Sequence, residues 1–529
     1  MRTITTLCAI AVLFFSANLF PQATGDYQSN GVGMWDAAAT WQTYNGSAWV
    51  AAAAPPTGSE NITIQATDSV DVDIPVTITG YVKSLGGKLG NSTANLTFDN
   101  KSTFEWATNG GSIPVATWNV GSTCLYTGIT ANMPSNSAQN FYNFTWNCPN
   151  YGASALNLTW GGNVIGGNVT VFGCDNRTYL RFTDSKTGNS APGANVVTIN
   201  GDILLHDFTS ALTSTGSSGL DTIEVHVKGN ITSYGLLNLA NGSGGFVNWY
   251  LSGNLNIIGG QITTNSTASR PDSLLFVGSN PQTFFKSDSL ASASNINFAL
   301  APGAVVNLDS TAIGGTSTTF TMPSGTTLIT AHKFGLKGDL NMGGSIKLPV
   351  DGNYVYNGTV AQIDSLLPVT MNNLTINNPT TVTLVQPITV NDTLKLLSGV
   401  LDNSVNSITI GAAGTVVFAG GVTAVPIPGW PNGIKDIAPA PRVFKLFNNY
   451  PNPFNPSTQI RFSVPKDGFT TLKVLNILGQ EVATLFEGTA KAGNLLEITF
   501  NAKALSSGIY FARLQQDSKI SIQKMILMK

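Results

Sequence analysis

Seven residues able to take part in acid–base chemistry fall within one short stretch: Asp202, His206, Asp207, Asp221, Glu224, His226 and Lys228. Two carboxylates flanking a glycosidic bond can act as acid and base, or as acid and nucleophile. A histidine beside them could move protons near neutral pH. Glu224, His226 and Lys228 alternate with Ile223, Val225 and Val227, so an extended backbone places the three polar side chains on one outward face. Arg177, Tyr179 and Arg181 form a second alternating row. A solvated strand face carries such residues without any chemistry, and that is the simpler reading of both rows.

Other reactive constellations are missing from the sequence. It holds no G-x-S-x-G elbow, H-E-x-x-H pair, P-loop or EF-hand loop. Asp68, Asp71 and Asp73 offer oxygen ligands but lack the dense spacing of a calcium loop. Cys124, Cys148 and Cys174 have no second Cys or His at zinc-ligand spacing. They read as small buried residues, with a Cys124–Cys148 or Cys148–Cys174 bridge left open by an odd count. The expectation is no catalytic residue, no cofactor and no metal.

The elements that would position these residues repeat. Of 529 residues 55 are Gly, 3 are His and 10% are charged, against about 25% charged in typical soluble chains. A net charge of −2 gives no support for nucleic-acid binding. From 61 to 422 one phrase recurs, an apolar–polar alternation beside Gly and Asn or Asp. It appears as IGGNVTV at 165–171, INGDILL at 199–205, VKGNITS at 227–233, LSGNLNI at 251–257 and LKGDLNM at 336–342. Gly201, Gly229 and Gly253 mark a loose period of the length typical of solenoids. Short β-branched strands with no convincing amphipathic helix between them indicate a parallel β-solenoid (β-helix), right-handed because parallel crossovers nearly always are. A string of β-sandwich modules is the competing arrangement.

The ends differ from the middle. Arg2, the apolar run 7–20 and the small residues before a cut between Gly25 and Asp26 predict a signal peptide over 1–25. Residues 26–60 carry Trp35, Trp41 and Trp49, read as a cap over the open end of the solenoid, with stacking on sugars as the alternative. A linker with five prolines follows at 423–441. Residues 442–529 hold 11 Lys and Arg against 5 Asp and Glu, whereas the rest holds 15 against 23. In this last part Ile460, Phe462 and Val464 alternate with polar residues. About seven short strands in fewer than about 100 residues predict an antiparallel Ig-like β-sandwich.

Two resemblances enter on these residues. GMWDAAATWQTYNGSAWV, NITIQATDSVDVDIPVTI and the rungs at 372–411 are similar in style to exported bacterial β-helix proteins. YPNPFNPSTQIRFSVP, VLNILGQEVATL, AGNLLEITFNAKALSSGIYFARL and the closing KMILMK resemble the type A C-terminal sorting domain of the type IX (Por) secretion system. The landmarks are Pro451, Asn452, Pro453, Leu478, Gly479, Gln480, Ser507, Gly508 and Tyr510; Ile477 departs from a position that is often polar in the family. The resemblance implies passage to the periplasm, recognition by the outer-membrane translocon and cleavage by its sortase-like peptidase. It further implies release, or attachment to a surface glycolipid. The resulting expectation is a secreted or cell-surface structural, adhesin-like protein. A carbohydrate-active or glycan-binding β-helix and a self-associating sheath or filament subunit are the alternatives.

Overall fold

The computed structural model describes residues 22–90, 95–152, 156–174, 179–183, 195–214, 222–242, 246–265, 271–287, 295–430, 444–490, 492 and 495–528. The signal-peptide core, Arg177, Asp221, the Cys174 side chain and most of the linker lie outside the described residues. The chain divides into two units, 1–417 and 418–529.

The first unit is a parallel β-solenoid of about 13 turns. In its middle each turn is a triangle of three short strands. Thr222–Val227, Ile231–Ser233 and Leu236–Asn238 make one turn. Phe246–Leu251, Leu255–Ile257 and Gln261–Thr263 make the next. Every one of these pairs is parallel, with Val225 opposite Trp249, Ile231 opposite Leu255 and Leu237 opposite Ile262. This register excludes a string of sandwiches. Turn length is elastic: Asn61 pairs with Tyr81, whereas Val169 pairs with Ile203.

Alternation sets the inside. Ile223, Val225 and Val227 are buried while Glu224 and His226 are half-exposed, as the period-two pattern requires. The repeated Gly phrase turns out to be a corner between two strands. One strand ends at Ile199, Val227 or Leu251 and the next begins at Ile203, Ile231 or Leu255. At these corners the backbones touch: Gly229 N–H donates to Gly201 O, and Gly253 N–H to Gly229 O, both at 3.1 Å. A Cβ on Gly229 would stand 2.5 Å from the Gly201 carbonyl oxygen, and one on Gly253 2.3 Å from that of Gly229. Glycine is therefore the residue that lets the rungs close up.

One copy of the phrase departs. LKGDLNM at 336–342 was expected as a strand, but Gly335–Asp339 forms a single helical turn. The Asp364 carboxylate accepts the Leu336 N–H at 2.7 Å and the Lys337 N–H at 3.2 Å, satisfying free donors of that turn. Gly338 packs under the His332 ring, where a Cβ would overlap it.

The Trp-rich segment joins the solenoid's own sheets. Tyr27–Ser29 pairs parallel with Asn61–Ile64, and Val32–Met34 with Ser69–Asp71. Trp41–Tyr44 and Trp49–Ala51 then continue the sheet antiparallel. Trp35 and Trp41 are buried edge-to-face, ring centroids 5.0 Å apart, with their indole N–H groups on Pro56 O and Trp35 O. Further inside, Phe98 stacks on Trp118 at 4.5 Å, Phe144 meets Trp160 at 4.9 Å, and Trp160 stacks on Phe182 at 5.6 Å.

The corner contact generates a test. Gly229→Val should lower stability by about 3 kcal/mol, because a side chain there must force two backbones apart. Lys228→Ala, at an exposed neighbour, should stay within about 0.5 kcal/mol in the same denaturant melts.

Candidate functional site

The polar residues of 202–228 are not gathered into one site. Asp202 lies in a column in which each side chain accepts the backbone N–H of the next turn. Asn143 Oδ1 accepts Asn168 N, Asn168 accepts Asp202 N, Asp202 accepts Asn230 N, Asn230 accepts Asn254 N, and Asn254 accepts Thr283 N, all at 2.6–2.9 Å. Asp207 closes a loop, accepting from Thr209 N and Oγ1, Ser210 N and Gly173 N. Although burial opposes ionisation, those hydrogen bonds, Thr209's foremost, hold its pKa below the usual carboxylate value. His206 lies against Phe172, centroids 4.3 Å apart.

Glu224 and His226 stand on a different face of the triangle from Asp202 and His206. His226 Nε2 is 2.9 Å from Glu224 Oε2, and its ring stacks on Tyr250 at 4.5 Å. Burial, followed by the Glu224 charge, raises the Tyr250 pKa. The register neighbours of Glu224 are Val196 and Asn248, and those of His226 are Thr198 and Tyr250. Neither neighbour pair supplies the second carboxylate that glycoside cleavage uses. Arg181 belongs to yet another sheet, where it pairs with Asn157 and Thr213, and Tyr179 immediately precedes that strand.

The acidic residues near the cap are also divided. Asp68 is buried and accepts the Ser29 hydroxyl at 2.5 Å, while Asp73 is exposed. Among the described residues no group of three or more His, Cys, Asp or Glu side chains could hold a metal ion. Cys124 and Cys148 are buried, and burial pushes the Cys124 thiol up. The backbone of Cys148 is in register with that of Cys174 in the following turn.

One buried acid escaped the sequence reading. Asp339, at the end of the helical turn, is fully buried, and neither carboxyl oxygen has a hydrogen-bond partner among the described residues. Burial pushes its pKa up to about 8. The Asp364 and Asp309 charges add to the shift, and the nearby Thr330 hydroxyl opposes it. Asp364 is instead well served, by the helical N–H groups, the Tyr356 hydroxyl at 2.6 Å and Leu366 N at 2.7 Å.

The second unit contains the landmark residues of the C-terminal sequence. A three-stranded antiparallel sheet holds Lys445–Leu446, Ser457–Ser463 and Leu495–Asn501. A four-stranded one holds Gly468–Leu475, Glu481–Ala490, Gly508–Gln516 and Lys519–Leu527. Ile460, Phe462 and Val464 from one side and Leu472, Val474, Leu514 and Met525 from the other share one core. The Pro-rich lead-in is tied to the last strand. Asn452 donates to Lys524 O at 3.1 Å and accepts Ile526 N at 2.9 Å, and Phe454, buried, bonds Ile526 O through its N–H.

Leu478, Gly479 and Gln480 form a hairpin turn around Asn476. Its Oδ1 accepts Leu478 N and Gln480 N, and Gly479 takes a φ of +79° that favours glycine. Ile477 is 71% exposed, which explains why a polar residue suits that position too. Past Ser507 and Gly508, the Tyr510 hydroxyl donates to Ser506 O at 2.8 Å, a tyrosine pinned back on its own chain as in Ig-like sandwiches. Gly25 and Asp26 lie at the start of the first turn, with Gly25 N–H on Tyr44 O and Asp26 accepting from Asn61.

The molecule is thus a parallel β-solenoid chain ending in a small antiparallel sandwich. Residues 448–528 match the family described as the secretion system C-terminal sorting domain. No curated protein and no solved structure matches the chain. The tail supports export by the type IX system, across the outer membrane to the cell surface or the medium, and interaction with that machinery.

Asp339 gives this geometry a pH signature. Its folded pKa stands above the unfolded value, so between about pH 4 and 8 the folded chain holds a proton that the unfolded chain releases. Stability then falls as pH rises through that window, by up to about 1.4 kcal/mol per unit, and levels off above it. Asp339→Asn should match the natural protein near pH 4 and exceed it near pH 8 in denaturant melts.

Proposed function

We propose that this protein is an exported structural, adhesin-like solenoid, delivered to the cell surface or released through its C-terminal sorting domain. The observation that carries the reading is the match over 448–528 to a sorting domain folded as a complete two-sheet sandwich. The solenoid's polar side chains add support. Asp202 and Asp207 are engaged in backbone hydrogen bonds, and the Glu224–His226 pair lies on a strand face, half-exposed. A long stack of Thr- and Asn-rich turns with few charges suits an extended surface element, which needs no reactive group.

Removal of everything after Pro441 tests the route. The truncated chain should accumulate in the periplasm, read by fractionation and immunoblotting. Its appearance on the surface or in the medium would refute export by the tail.

Glu224 beside His226 and Tyr250 is the observation that favours a carbohydrate-active enzyme as second reading. Purified protein should leave pectin, alginate and neutral glycans intact in reducing-end assays. Degradation abolished by Glu224→Ala with His226→Ala would establish that second reading instead.

A further inference from the structure

The outer face of the first turns holds a trough of about 270 Å³ lined by Asp26, Gln28, Trp49, Gln65, Tyr81 and Lys83. It is built on one continuous run of strands. Gln42, Gln28, Thr63, Lys83 and Glu105 are successive register partners, and so form one outward row. Beside that row Tyr44 pairs with Trp49, and Asn61 with Tyr81. The trough therefore has aromatic rings toward both ends and short polar groups between them. Of the three tryptophans in the N-terminal segment, Trp35 and Trp41 are consumed by the core, whereas Trp49 is half-exposed against Tyr44, ring centroids 5.4 Å apart.

The charged groups inside the trough are already hydrogen-bonded. Lys83 pairs with Glu105 at 3.1 Å, and the Tyr81 hydroxyl donates to the same carboxylate. Asp26 accepts from Asn61 Nδ2 at 3.0 Å. The floor is a relay of carboxamides, Gln65 Nε2 donating to Gln28 Oε1 at 2.8 Å and Gln28 Nε2 to Gln42 Oε1 at 2.6 Å. Lys83 is neutralised by Glu105 and Asp26 keeps its negative charge, so the surface disfavours anionic ligands. It offers a flat apolar wall at Trp49 and paired donors and acceptors below it. Pyranose rings present the complementary pattern, an apolar C–H face edged by hydroxyl groups.

We propose that this trough binds a short segment of a neutral saccharide, with Trp49 as its stacking platform and Gln28 and Gln65 reading its hydroxyls. The proposal rests on the adhesin-like reading only for its setting, by giving that surface element a ligand class. Binding and export are read separately, so either can fail while the other stands.

The test is calorimetric titration of the purified exported protein. The probes are cellopentaose, xylopentaose, laminaripentaose and chitopentaose, with tetragalacturonate and tetramannuronate as acidic counterparts. At least one neutral chain should bind. Trp49→Ala and Gln65→Ala should each weaken that binding by roughly tenfold. Trp49→Phe should retain most of it, and Lys395→Ala, at an exposed position outside the trough, should leave it unchanged. Circular dichroism and melting curves establish that each variant is folded, and if Trp49→Ala is not, Gln65→Ala and Trp49→Phe carry the test. Binding to none of the neutral chains, preference for the acidic ones, or undiminished binding by the folded Trp49→Ala or Gln65→Ala variant overturns the proposal.

Discussion

At one corner of each turn between Asn143 and Thr283 a backbone N–H leaves its strand and needs an acceptor. The column Asn143, Asn168, Asp202, Asn230 and Asn254 supplies one, each side-chain oxygen taking the N–H of the residue above it. Each such bond, at an exposed or half-buried corner, contributes on the order of 0.5–1.5 kcal/mol, and the corner recurs from turn to turn along this stretch. The same corner demands close backbone approach, which is why Gly201, Gly229 and Gly253 stand beside the column. Two adjacent positions thus fix the axial spacing, and the apolar strands between corners have only to alternate.

That constraint decides the fate of the chemically suggestive residues. Asp202 sits in the column as a stand-in for asparagine, so its carboxylate is oriented along the stack and occupied. Asp207 is drawn into its own loop. What is left on the faces, Glu224 and His226 for instance, is what alternation exposes. The column is thus built of amide acceptors, with Asp202 the one acid among its five. The sparse charge of the sequence follows from this, since amides and hydroxyls complete a ladder without like-charge repulsion between turns.

Much of this was legible in the sequence where one physical rule dominates. Period-two alternation placed Val225 and Val227 inside, and the spacing of Gly201, Gly229 and Gly253 identified stacked turns. The landmarks around Asn452, Gly479 and Tyr510 identified the terminal sandwich. What escaped depends on contacts distant in sequence. The phrase at 336–342 carries the strand signal, yet Asp364, more than 20 residues on, caps it as a helical turn. Proximity along the chain grouped His206 with His226 in one polar stretch, but a three-sided turn sends neighbours to different sheets. The aromatic stack through Trp118, Trp160 and Phe182 has no fixed period and was invisible for that reason.

Elastic turn length has a consequence of its own. A turn spans from Asn61 to Tyr81 near one end and from Val169 to Ile203 farther on, yet both stack in the same sheet. Residues can therefore be gained or lost between corners without disturbing the lattice of contacts above and below. Whole turns can be duplicated or excised by the same logic. Such a body behaves as an extensible ruler, whose reach can be changed by copying or deleting one unit while its two ends keep their shapes.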